Sequence, residues 1–201
     1  ARAIHFPTIR IDPPASWAEL DAALDRLAAY AWIIFTSANG VRFFMARLRE
    51  RGGDLRDLQG IRLAVIGPAT AGMLAEMGLR VDLVPEEYIS EGVVQAFAGQ
   101  DVRGKKILLP RAAEARDVIP AGLAQMGAQV DVITVYRTVP SGRRAEELLP
   151  LLAAGRVDVI TFTSPSTVTS FLAIMGPEFT LPPAVKIAAI GPVTAAALQK
   201  A

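Results

Sequence analysis

The sequence predicts an α/β protein made of two related parallel-sheet units. Three observations carry that prediction. Short apolar runs rich in β-branched residues alternate with amphipathic helical stretches, two motifs recur in the same order, and each motif follows a predicted strand. Alternation of strand and helix implies parallel strands covered by helices on both faces.

In chain order, strands are predicted over residues 3–11, 31–36, 62–66, 80–84, 106–109, 129–136, 158–163 and 186–190. The continuous run Ile33-Ile34-Phe35 suits a central strand buried on both faces. Ser16-Trp17-Ala18-Glu19 has the capping-box pattern and precedes Leu20, Leu24 and Leu27 at helical spacing. Gly78 and Gly127 follow Met77 and Met126, where a left-handed helix cap is expected.

The repeat is the most informative feature. Phe35-Thr36-Ser37 follows an apolar strand, and Phe162-Thr163-Ser164 does the same later in the chain. From Ser37, apolar residues Val41, Phe44, Met45 and Leu48 fall at offsets 4, 7, 8 and 11; Val168, Phe171, Leu172 and Met175 repeat those offsets from Ser164. Ile66-Gly67-Pro68-Ala69-Thr70 is matched by Ile190-Gly191-Pro192-Val193-Thr194. Two motifs recurring in one order imply duplicated units. After Thr70 the first unit continues through further strands and helices, whereas the second stops soon after Thr194. One domain is therefore expected to be incomplete in this chain. Residues 12–134 are read as the complete, inserted domain. Residues 1–11 and 135–201 supply connector strands and the partial second domain.

Composition excludes several classes of chemistry. Cysteine is absent and His5 is the only histidine, so disulfides, thiol nucleophiles and multi-imidazole metal sites are ruled out. With 21 basic and 20 acidic residues the formal charge is +1, which gives no general attraction for nucleic acid. No apolar run reaches the roughly 18 residues of a membrane span. A cytoplasmic monomer that binds neither membrane nor nucleic acid is expected. Dinucleotide and P-loop glycine patterns are missing, as is a nucleophile elbow.

Ligands of parallel α/β sheets sit beyond the carboxyl ends of the strands. Both Thr-Ser motifs and both Gly-Pro-x-Thr motifs belong there. Ser37 and Ser164 are placed to cap helices, with Pro165 at a first helical position. The same turns offer free N–H groups and hydroxyls to an anion. Capping accounts for one such turn; four on one edge point towards anion binding. Gly67 and Gly191 also suit tight turns, and Thr70 and Thr194 also suit backbone hydrogen bonds within a first helical turn. Arg111 follows a strand as Pro110-Arg111 and suits either carboxylate recognition or a surface role. Tyr136, in a strand, has packing as its default role.

Phe35-Thr36-Ser37, Gly67-Pro68-x-Thr70, Leu109-Pro110-Arg111, Val135-Tyr136-Arg137-Thr138, Phe162-Thr163-Ser164-Pro165 and Gly191-Pro192-x-Thr194 together resemble the uroporphyrinogen-III synthase family. The resemblance spans nearly the whole chain in the family's order, without the family's first strand and helix and its final segment. It implies two flavodoxin-like domains joined by a two-stranded connector, with the active site between them. It further implies a cofactor-free lyase that closes hydroxymethylbilane, a linear tetrapyrrole with eight carboxylates, into uroporphyrinogen III with ring D inverted and water lost. On the family pattern Tyr136 would assist departure of the hydroxyl. Thr36, Ser37, Asn39, Gly67, Thr70, Arg111, Ser164, Ser166, Gly191 and Thr194 would bind substrate. The alternative is a non-catalytic tetrapyrrole- or small-anion-binding module of the same fold in a regulator.

Overall fold

The computed structural model describes residues 2–141 and 144–200. In chain order they form β1 (Ile9–Asp12), α1 (Ala18–Leu24), β2 (Trp32–Phe35), α2 (Ala38–Glu50), β3 (Arg62–Val65), α3 (Pro68–Glu76), α4 (Ser90–Phe97), β4 (Lys106–Ala112) and α5 (Val118–Gln125). There follow β5 (Gln129–Pro140), α6 (Leu149–Ala153), β6 (Val159–Phe162), α7 (Pro165–Met175), β7 (Lys186–Ala189) and α8 (Pro192–Gln199). The chain divides into two compact units: Asp12–Thr138, and Ala1–Ile11 with Val139–Ala201.

The five-stranded sheet has the order β1-β5-β4-β2-β3, with β2 parallel to both β3 and β4 and β4 parallel to β5. Every residue of β2 is buried, as its unbroken apolar run predicts. Its side chains alternate between two helical layers. Trp32 and Ile34 pack with Val93, Phe97, Ile119 and Leu123 from α4 and α5. On the other side, Phe35 meets Phe44 of α2 edge to face, with ring centroids 5.5 Å apart. The predicted α2 stripe of Val41, Phe44, Met45 and Leu48 is buried throughout. Gly78 and Gly127 adopt φ of 80° and 86° after α3 and α5, and Leu79 N–H donates back to Leu74 O.

Four local expectations are corrected. The first strand covers only Ile9–Asp12, not residues 3–11. Residues 80–84 form no strand. The only pairing there is an isolated bridge between Ala64 and Leu83, because the Asp82 carboxylate accepts the Leu63 N–H that a continued ladder would need. Helix α1 starts at Ala18 with Trp17 at its N-cap and no side-chain cap; Ser16 Oγ accepts only the Ala18 N–H. Strand β4 does not stop at Leu109. It runs through Pro110 to Ala112, with Pro110 paired to Ile133.

In the second unit β6 and β7 pair in parallel from Val159↔Lys186 to Phe162↔Ala189. Its core gathers Leu148, Leu152, Phe162, Val168, Phe171, Met175 and Val185. Phe171 meets Phe6, Phe162 and Phe179 edge to face. The repeated stripe is only partly buried here, since Leu172 is exposed, and Val159 and Ile187 are also exposed. A parallel pair with exposed apolar positions contrasts with the fully covered β2, because parallel strands ordinarily have both faces packed.

Candidate functional site

Parallel pairing of β2 with β3 aligns Phe35 with Val65, so the turns after both strands lie on one edge of the sheet. Ser37 caps α2 from extended backbone, and its Oγ accepts the Gly40 N–H at 3.0 Å. A Cβ at Gly40 would lie 3.2 Å from Pro110 O, so the bare glycine brings α2 close against β4. Thr36 and Asn39 flank the cap and are half-buried.

The second turn differs in kind. Gly67 is the N-cap of α3 and offers no side-chain cap, while Pro68 opens the helix. First-turn N–H groups of α3 are therefore left without the cap that Ser37 provides for α2. Thr70 lies within this turn and is 4% exposed. Tyr88 covers Gly67, where a Cβ would approach the Tyr88 ring to 3.3 Å.

Tyr136 reaches the same edge from β5. The β4–β5 register shifts between Arg111 and Ala112: Arg111 pairs with Thr134, and Ala112 pairs with Tyr136. Val135 is the extra residue on β5, and Val135 and Tyr136 are both buried. The irregularity aims the phenol towards α2. Its oxygen is 2.9 Å from Ser37 Oγ, and its ring stacks on Phe43 with centroids 5.9 Å apart and planes at 14°. Phe43 also meets Trp17 at 6.4 Å, and the Arg42 guanidinium lies 5.2 Å from its centroid.

Arg111 lies on this edge but is already engaged. Its guanidinium donates to Asp117 Oδ1 at 2.5 Å and to Arg116 O at 2.8 Å. With a side chain only 12% exposed, it ties the end of β4 to the start of α5.

In the other unit the two kinds of turn recur. Ser164 caps α7: its Oγ accepts the Thr167 N–H at 3.3 Å and lies 3.0 Å from Ser166 Oγ. Thr167 Oγ1 donates to Ser164 O at 2.6 Å, and Thr169 Oγ1 to Pro165 O at 3.3 Å. Gly191 is the N-cap of α8 with no side-chain cap, followed by Pro192. Thr194 is 3% exposed. Among the described residues, neither Thr70 nor Thr194 makes the backward bond seen for Thr167 and Thr169. The capping reading thus holds for Ser37 and Ser164, whereas the two Gly-Pro-x-Thr turns leave their helix ends open.

Within the first unit the structure groups Thr36, Ser37, Asn39, Gly67, Thr70, Arg111 and Tyr136; within the second it groups Ser164, Ser166, Gly191 and Thr194. Gly40, Phe43 and Tyr88 were not foreseen. Gly40 had a readable signal, since glycine within a helix is unfavourable unless a close approach requires it. Phe43 and Tyr88 had none, because each matters only through a partner far away in sequence. Among the described residues no group of three or more His, Cys, Asp or Glu side chains could hold a metal ion, and no helix is long and apolar enough to cross a membrane.

The family model described as uroporphyrinogen-III synthase HemD matches residues 1–201. A candidate uroporphyrinogen-III synthase of Methanothermobacter thermautotrophicus is 40% identical, over 99% of this chain and 80% of that protein. The uroporphyrinogen-III synthase of Synechococcus elongatus is 33% identical, over 100% of this chain and 77% of its own length. Among solved structures, a mutant uroporphyrinogen III synthase of Thermus thermophilus aligns with a TM-score of 0.65 at 25% identity, over 97% of this chain and 78% of that one. The Helicobacter pylori enzyme shares the fold, with a TM-score of 0.64 at 22% identity, over 96% of this chain and 80% of its own.

Proposed function

The chain belongs to the uroporphyrinogen-III synthase family, and we propose that it acts as a cofactor-free lyase on hydroxymethylbilane. The two compact units are read as flavodoxin-like domains, with β1 and β5 as the strands that connect them. The observation that carries the substrate assignment is the pair of open helix ends at Gly67 and Gly191, each with a buried threonine in its first turn. Uncapped N–H groups at a helix N-terminus favour carboxylates, and this substrate carries eight. Ser37, Thr36, Asn39, Ser164 and Ser166 border those turns and add polar groups to them. Arg111 contributes by fixing the β4–α5 turn through Asp117.

The reaction begins when the terminal C–O bond breaks. The departing hydroxyl takes a proton and leaves as water, and Tyr136 is the donor we assign. Either hydroxyl of the Ser37–Tyr136 pair can donate; we assign the Ser37 hydrogen to the phenol oxygen, which leaves the phenol hydrogen for the substrate. The electrophilic methylene then bonds to the substituted carbon of ring D. The spiro intermediate so formed reopens and recloses with ring D inverted, and a ring proton is lost to restore the pyrrole. Binding many carboxylates at once holds the chain in the curled shape that favours this closure over the uninverted one.

Steady-state kinetics with freshly made hydroxymethylbilane tests the binding assignment. Thr70→Ala and Thr194→Ala should each raise KM by about tenfold, the loss of one hydrogen bond to a charged group. An unchanged KM and rate in either variant would remove that turn from the site.

A further inference from the structure

We infer that Phe43 is a positioning residue for Tyr136, fixing the plane of the phenol ring that the Ser37 hydroxyl alone leaves free to turn. The inference rests on the assignment of Tyr136 as proton donor. A hydrogen bond at 2.9 Å sets how far the phenol oxygen lies from Ser37, but it permits rotation of the ring about the axis through that oxygen. The near-parallel stack on Phe43, at 14°, removes that rotation. The two contacts come from one helix, since Ser37 caps α2 and Phe43 lies in its second turn.

Phe43 is not simply part of the α2 core. Val41, Phe44 and Met45 are buried in the stripe, whereas Phe43 is half-buried at the sheet edge. It shares a helix face with Gly40, three residues earlier, whose missing side chain lets α2 approach β4 at Pro110. The register shift at Val135 turns Tyr136 to meet it. A donor held in one orientation protonates a leaving group without first losing rotational freedom, so the effect belongs on kcat and not on substrate affinity.

The test is a double-mutant cycle on the full chain, measuring type III product from hydroxymethylbilane. Phe43→Leu should lower kcat by about tenfold, close to the effect of Tyr136→Phe, with KM within about twofold. Phe43→Tyr restores a stacking ring and should recover most of the lost rate. In the Tyr136→Phe background, Phe43→Leu should add little, because a ring without its hydroxyl has no proton to place. Multiplying effects in the double variant, or a change in KM alone, would overturn the inference. Phe43→Met gives the same comparison with a second non-aromatic side chain of similar volume if Phe43→Leu does not fold. A native chain yielding only type I would overturn the synthase reading along with it. Type III from the native chain with Phe43→Leu at full rate would sink the role of Phe43 alone.

Discussion

Tyr136 illustrates both what a residue's chemistry predicts and what its neighbours add. Its motif points to the site, but the shift of register at Val135 and the stack on Phe43 decide where its oxygen lies. Neither is readable from the chain, because a bulge depends on the partner strand and a stack on a distant helix. Arg111 shows the converse. Its position at the end of β4 was legible, yet the loop brings Asp117 back to occupy the guanidinium that carboxylate recognition would use. If catalysis works mainly by holding the substrate, Tyr136→Phe should reduce kcat by only about tenfold and leave residual type III formation. Complete loss of activity, measured by single-turnover assay on folded variant, would contradict that view.

At the scale of elements, helix starts were the most legible feature. Ser37 and Ser164 cap as their sequence patterns predict, while the Ser16 pattern fails and α1 begins beyond it. Capping motifs report local preference, which tertiary contacts override: Trp17, at the actual N-cap, is drawn against Phe43 and Arg47. Helix α4 depends on a glycine in its first turn, since a Cβ at Gly92 would fall on Glu87 O. Gly92→Ala should therefore destabilise the protein by about 1–3 kcal/mol, read from the urea midpoint. Helices α1 and α2 are joined by Arg47, whose Nε and Nη2 each donate to Asp21 at 2.7 Å. The hydrogen bond from Arg47 holds the Asp21 carboxyl below its ordinary value. A depressed carboxyl stabilises the fold at pH values above its unfolded value and loses that contribution as the pH falls through its folded one. The melting temperature of Asp21→Asn should thus lie below that of the native chain at neutral pH, with the gap closing in acid. A gap that stays constant down to pH 3 would exclude this coupling.

For the whole molecule, the duplicated motifs were the strongest sequence signal, because each marks a turn and a helix together. Four turns recur as two kinds, serine-capped and glycine-open, in both units. The sequence shows serine at one pair of N-caps and glycine at the other, but not that the glycine turns stay uncapped, since a neighbouring side chain can supply a cap. Nor did it foretell that Leu172 and Ile187 in the second unit are exposed, although their apolar pattern matches buried positions in the first. On the proposed function, these turns bind the carboxylates of a linear tetrapyrrole and so favour the inverted ring closure. The most direct test is to supply the full chain with freshly generated hydroxymethylbilane, oxidise the products and separate the porphyrin isomers by chromatography. The expected result is an excess of type III over the spontaneous type I. Type I alone from the folded protein would contradict it and leave a tetrapyrrole-binding module without catalysis.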